Sequence, residues 1–113
     1  MNKKVFLANI NWVKPTEGGR VLPIPMNNEK YCPIVSVDRQ ITSLGGSGVF
    51  GLLCNSFKLI GEYNTLAYVR YLNTDDAPDN LHIGSELELF EGARLVAIGR
   101  IVEEVDYQFK SVR

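Results

Sequence analysis

Apolar and polar residues alternate along most of this chain with a period of two, the spacing of strands rather than helices. From Lys4 to Val13, Phe6, Ala8, Ile10 and Trp12 share one face, and Val5, Leu7, Asn9 and Asn11 share the other. Ile34, Val35 and Val37 follow a proline-rich stretch. Val49 to Phe57 is a longer apolar run, as expected of a strand covered on both faces. Leu66, Tyr68 and Arg70 alternate with Ala67, Val69 and Tyr71, and Leu87 and Leu89 with Glu86 and Glu88. Leu95 to Val102 is nearly all apolar, interrupted by Gly99 and Arg100, which places Ile98 in the expected core.

These runs predict six strands. Turn chemistry separates them at Gly18-Gly19, Gly45-Gly46, Gly61, Pro78-Asp79, Gly84 and Gly92. No window of helical length carries a one-sided apolar stripe; Asp75 to Leu81 suits a single helical turn. Six short strands in 113 residues predict an all-β sandwich or small closed barrel, with residues 1–113 as a single domain. The firmest local feature is the last hairpin. Gly92-Ala93 between two alternating runs suits a type II′ turn, with Glu91 and Arg94 flanking it as an expected surface ion pair.

One motif recurs: Glu17-Gly18-Gly19-Arg20 and Glu91-Gly92-Ala93-Arg94 are both E-G-x-R. As turns they supply geometry and solubility. As a recognition edge, their arginines are the side chains to watch, because a planar guanidinium grips a carboxylate or phosphate at two points. Among the aromatics, Trp12, beside a Lys-Pro turn at a strand end, is the one expected to be partly exposed. That gives Glu17, Arg20, Glu91, Arg94 and Trp12 as candidate partner-binding residues.

Charge narrows the partners. Twelve Lys and Arg against thirteen Asp and Glu give a net charge of −1, without the positive surplus of a general phosphate-backbone binder. The Met1-Asn2-Lys3-Lys4 start leads into an apolar stretch broken by Asn9 and Asn11, too short and polar for a signal or membrane segment. A cytoplasmic protein is expected, with Cys32 and Cys54 as two reduced, buried thiols rather than a disulfide.

Catalytic parts are faint. There is no G-x-x-x-x-G-K-[ST] loop, and Gly45-Gly46-Ser47-Gly48 lacks the lysine and helix start that bind phosphates. His82, Cys32 and Cys54 have no paired metal-ligand spacing. A Cys–His nucleophile pair is a minor alternative, and the carboxylates Asp75, Asp76, Asp79, Glu86, Glu88 and Glu91 read as a solvated face. No cofactor, metal, nucleotide or catalytic residue is assigned.

Taken in order, three segments resemble a known family. Val5-Phe6-Leu7-Ala8 leads into Glu17-Gly18-Gly19-Arg20 and then Tyr31-x-Pro33. Leu81-His82-Ile83-Gly84 follows, and Phe90 to Ile101 closes the chain's last hairpin. Together they resemble the third domain of elongation factor Tu: its E-G-G-R turn, Tyr-Arg-Pro-Gln segment, Met-Pro-Gly-Asp turn and terminal hairpin. The resemblance implies a six-stranded antiparallel β-barrel that in the factor helps grip the T-stem of aminoacyl-tRNA and packs against the nucleotide domain and the exchange factor. Glu91 matches a tRNA-contacting glutamate. Cys32 and Ile34 stand where the family has the arginine and glutamine of Tyr-Arg-Pro-Gln, and Ser85 replaces the turn aspartate. Those departures and the charge balance favour a non-enzymatic binding module with a protein partner. An RNA- or tRNA-binding module tied to translation is the alternative.

Overall fold

A computed structural model describes residues 4–39 and 50–110. The expected Gly45-Gly46 turn, the Gly45-Gly46-Ser47-Gly48 loop and the start of the Val49 run lie outside those residues. Within them are β1 (Val5–Trp12), β2 (Ile34–Val37), β3 (Phe50–Gly61), β4 (Asn64–Tyr71), β5 (Glu86–Glu91) and β6 (Arg94–Val105), with one 3-10 turn at Pro15–Glu17. The strands close into a barrel in the order β1-β4-β3-β2-β5-β6, with β6 back on β1. Every neighbouring pair is antiparallel. Closure removes the open sheet edges that a flat meander of this size would expose.

The alternation read from the sequence sets the barrel's inside. Phe6, Ala8, Ile10 and Trp12 of β1 meet Leu52 and Cys54 of β3, Ala67 and Val69 of β4 and Leu87 and Leu89 of β5 in one core. β3 is buried on both faces from Leu52 to Ser56. Its outward Leu53 packs with Val5 and Phe109 in a second cluster on the barrel's outer surface.

Three expectations change. No helix forms between Asp75 and Leu81; the Asn73 side chain accepts from the Asp75 and Asp76 amides and holds a plain turn. The single helical turn falls instead at Pro15–Glu17, where proline at the first position supplies a fixed φ without wasting an N–H. Ile98 faces outward, 46% exposed. A register shift between Leu89 and Phe90 lets Val96 and Ala97 both turn inward, after which strict alternation sends Ile98 out, opposite Asn11 and Glu88. Gly99 then points in, against Ile10. A Cβ there would sit 2.6 Å from Ile10 Cδ1, so glycine is what this close approach requires.

Cys32 and Cys54 are both free thiols, as expected, but only Cys54 is fully buried; Cys32 is half-buried. Cys54 belongs to the interior core while Cys32 packs against the outer cluster. Their side chains therefore lie on opposite faces of the sheet.

Candidate functional site: a cross-latched turn edge

The two E-G-x-R motifs, far apart in sequence, meet in space. After the Pro15–Glu17 turn, Gly18 adopts φ +91, a left-handed conformation costly for other residues. Gly19 passes so close to the Val13 carbonyl that a Cβ would collide with it. These two glycines return the chain toward the β5–β6 hairpin. There Gly92 takes φ +63 and Ala93 stays out of the left-handed region, as a type II′ turn requires.

The result is a reciprocal latch. Arg20 of the first turn donates from Nε to Glu91 Oε2 of the second at 2.7 Å. Arg94 of the second donates from Nη1 to the Gly19 carbonyl of the first at 3.1 Å. The expected Glu91–Arg94 pair is thus replaced by one spanning 71 positions. Its side chains are 13% and 32% exposed, which sets it apart from a solvated surface pair. Tyr31 adds its hydroxyl to the same carboxylate oxygen at 2.5 Å, and the Arg20 guanidinium lies over the Tyr31 ring, 5.5 Å from its centroid. Burial, and then the bond to Glu91, push the Tyr31 hydroxyl well above the ordinary tyrosine range. Glu17 is exposed and takes no part in the latch.

Trp12 is not exposed. At 5% exposure it belongs to the core, with Nε1 donating to Thr65 Oγ1 at 3.0 Å. Thr65 and Ser56 share a further hydrogen bond at 2.9 Å, so the indole plugs the interior and has its polar atom satisfied there. Its edge still borders a surface depression of about 220 Å³ that also includes Val13, Pro15, Arg20 and Tyr63. Val21 and Leu22 form the outer lip, 77% and 64% exposed. Arg20 also donates from Nη1 to the Pro23 carbonyl, so the latch holds this lip from both ends. Sequence reading missed Val21 and Leu22 because two apolar residues in a loop carry no period.

On the chemistry of the remaining candidates, desolvation raises both thiols, Cys54 to about 12, which opposes the thiolate a nucleophile needs. His82 is exposed in the turn before β5, where its amide is bonded to Ser85 Oγ at 2.9 Å. Among the described residues no three His, Cys, Asp or Glu side chains gather into a metal-binding group, and no helix is long and apolar enough to cross a membrane.

A scan against protein-family models matches none, and a search of curated proteins finds no match.

Proposed function

We propose that this barrel is a non-enzymatic binding module whose partner is a protein, docking on the Val21-Leu22 lip and the depression behind it. The observation that carries the reading is the pairing of two highly exposed apolar side chains with a latch that holds their loop in place. Apolar groups presented on a fixed loop lose little conformational freedom on binding, and a contiguous apolar patch is a common mark of protein contact. Of the five residues singled out in the sequence, Arg20, Glu91 and Arg94 act in this reading by pinning the lip, and Trp12 forms its floor. A net charge of −1 fits a protein partner better than a phosphate backbone. The resemblance to a tRNA-facing barrel supports RNA as the alternative.

The test is affinity capture from native lysate, with and without nuclease, by wild type and by the Val21→Ser, Leu22→Ser double variant. Equal melting temperatures are established first. Nuclease-resistant recovery of a stoichiometric protein, lost in the double variant, is the expected result. Recovery that nuclease abolishes replaces the protein reading with the RNA one.

A further inference from the structure

Beyond β6, residues 106–110 leave the barrel ladder and fold back as a strap across the outer faces of β3 and β4. Phe109 is its apolar anchor, buried with Val5 and Leu53, and the Arg70 guanidinium lies 5.7 Å from its ring centroid. Tyr107 lies flat on Tyr68, with centroids 3.9 Å apart and planes within 5°. Phe57 stacks on the same ring at 4.4 Å and 17°. A ring has two faces, so Phe57 and Tyr107 sandwich Tyr68. The Tyr107 hydroxyl accepts from Asn55 Nδ2 at 3.1 Å and donates to Glu29.

That arrangement is incomplete. Asn55 is only 7% exposed, yet its Oδ1 has no hydrogen-bond partner among the described residues. Buried side-chain carbonyls are rarely left in that state. Tyr107 does not supply one: its oxygen accepts from Asn55 Nδ2 and its one hydrogen goes to Glu29. Whichever way the amide is turned, one hydroxyl cannot partner both amide atoms and Glu29 as well.

A flat ring carrying an amino group beside a ring nitrogen would complete the set. One amino hydrogen goes to Glu29 and the other to Asn55 Oδ1, while the ring nitrogen accepts from Asn55 Nδ2. That is the amino edge of adenine, which a side-chain amide reads in two places, and stacking on aromatic rings is how unpaired bases are held. Cytosine carries the same pair of atoms on a single ring, so adenine is favoured over it only by the larger face it stacks on Tyr68. Uracil places a carbonyl where the amine is needed and would set it against two acceptors. We propose that the Tyr68–Asn55–Glu29 slot is an adenine-binding site, and that Tyr107 occupies it as an internal stand-in which the base displaces. The slot reads a base and needs no phosphate loop. It uses a different set of residues from the Val21-Leu22 lip and does not rest on the protein-partner reading.

The experiment titrates the full chain with adenosine, cytidine, uridine and guanosine monophosphates, following tyrosine fluorescence and calorimetric heat. Tyr107→Ala removes the competitor and should bind adenosine monophosphate at least ~10-fold more tightly than wild type, since the cost of opening the strap is gone. Adding Asn55→Leu, which keeps the shape and removes both amide atoms, should abolish that gain. An oligoadenylate binding more tightly per base than the mononucleotide places the adenine in a strand; equal affinity per base places it in a free nucleotide. No saturable binding by Tyr107→Ala, or equal binding of the cytidine, uridine or guanosine nucleotide, overturns the assignment. Should Tyr107→Ala fail to fold, the Asn55 side-chain amide resonances of wild type decide. A shift with the adenosine but not the uridine nucleotide supports the site, and no shift refutes it.

Discussion

The latch and the strap share a central element, a tyrosine hydroxyl donating to a glutamate, and differ in how completely it is satisfied. At the latch, Tyr31 and Arg20 converge on Glu91, the guanidinium also covers the tyrosine ring, and Arg94 returns a bond to the opposite turn. At the strap, Tyr107 bridges Asn55 and Glu29 and leaves one amide atom without a partner. A closed polar network rigidifies what it joins, whereas a half-closed one carries the cost of an unpartnered buried group. On the proposals made above, the first region scaffolds a docking lip and the second receives a ligand.

The contrast is broken most directly at Arg20. Arg20→Ala leaves Glu91, two-thirds buried, with the tyrosine hydroxyl in place of a cation, and frees the Pro23 carbonyl. A loss of about 1.5–3 kcal/mol is expected in urea titration, the range for hydrogen bonds to charged groups. A loss below about 0.5 kcal/mol would return the pair to the worth of a solvated surface contact.

Alkaline titration separates the same two regions by slope. The Tyr31 hydroxyl is raised by burial and by Glu91, so the folded chain keeps its proton where an unfolded tyrosine, with an ordinary value of 10.0, gives it up. The stability this contributes is whole below pH 10 and is lost as pH climbs toward the folded value, because above 10 the unfolded state binds fewer protons. Tyr107 is raised in the same direction, by burial first and then by Glu29. Tyr31→Phe should therefore flatten the fall in stability above pH 10 more than Tyr107→Phe does, read from urea midpoints at stepped pH. An equal effect of the two variants would erase the distinction.

The smallest effect expected is at the strap. Asn55→Leu with Tyr107→Phe replaces the amide–hydroxyl pair by apolar groups of similar shape and removes the orphan carbonyl, while Glu29 loses the tyrosine hydroxyl but keeps the Lys110 amide. Relief of the orphan carbonyl offsets part of the bond lost by Glu29, so the net loss should stay below about 1 kcal/mol, smaller than that of Arg20→Ala. A loss comparable to that of Arg20→Ala would mean that the strap is as much a part of the scaffold as the latch.

Local physics made the barrel legible before its coordinates. Period-two alternation assigned Phe6, Ala8, Ile10 and Trp12 to one face, and they are the face β1 buries. The Gly92-Ala93 turn and the six-strand count follow from backbone preferences that each segment carries by itself. Alternation fails at Ile98 because a bulge between paired strands shifts the phase, and a bulge belongs to the pair rather than to either strand. The E-G-x-R repeat was visible as a pattern, but not that each arginine would serve the opposite turn. Nearest neighbours in sequence suggested Glu91 with Arg94, and barrel closure instead brought up Arg20 in a half-buried position where a paired charge is held more firmly. Trp12 reversed for a related reason: Thr65, on a strand that only closure sets beside β1, offered the indole a buried partner. Tyr107 and Asn55 lie 52 residues apart and carry no shared motif, so their meeting, and the burial of the unpartnered Asn55 oxygen, exist only once the chain past β6 folds back over β3. What the sequence determined by itself were the elements and their inward faces, because those depend on neighbours two to four residues away. Which polar groups would satisfy one another, and which would be left wanting, was decided by tertiary contact alone.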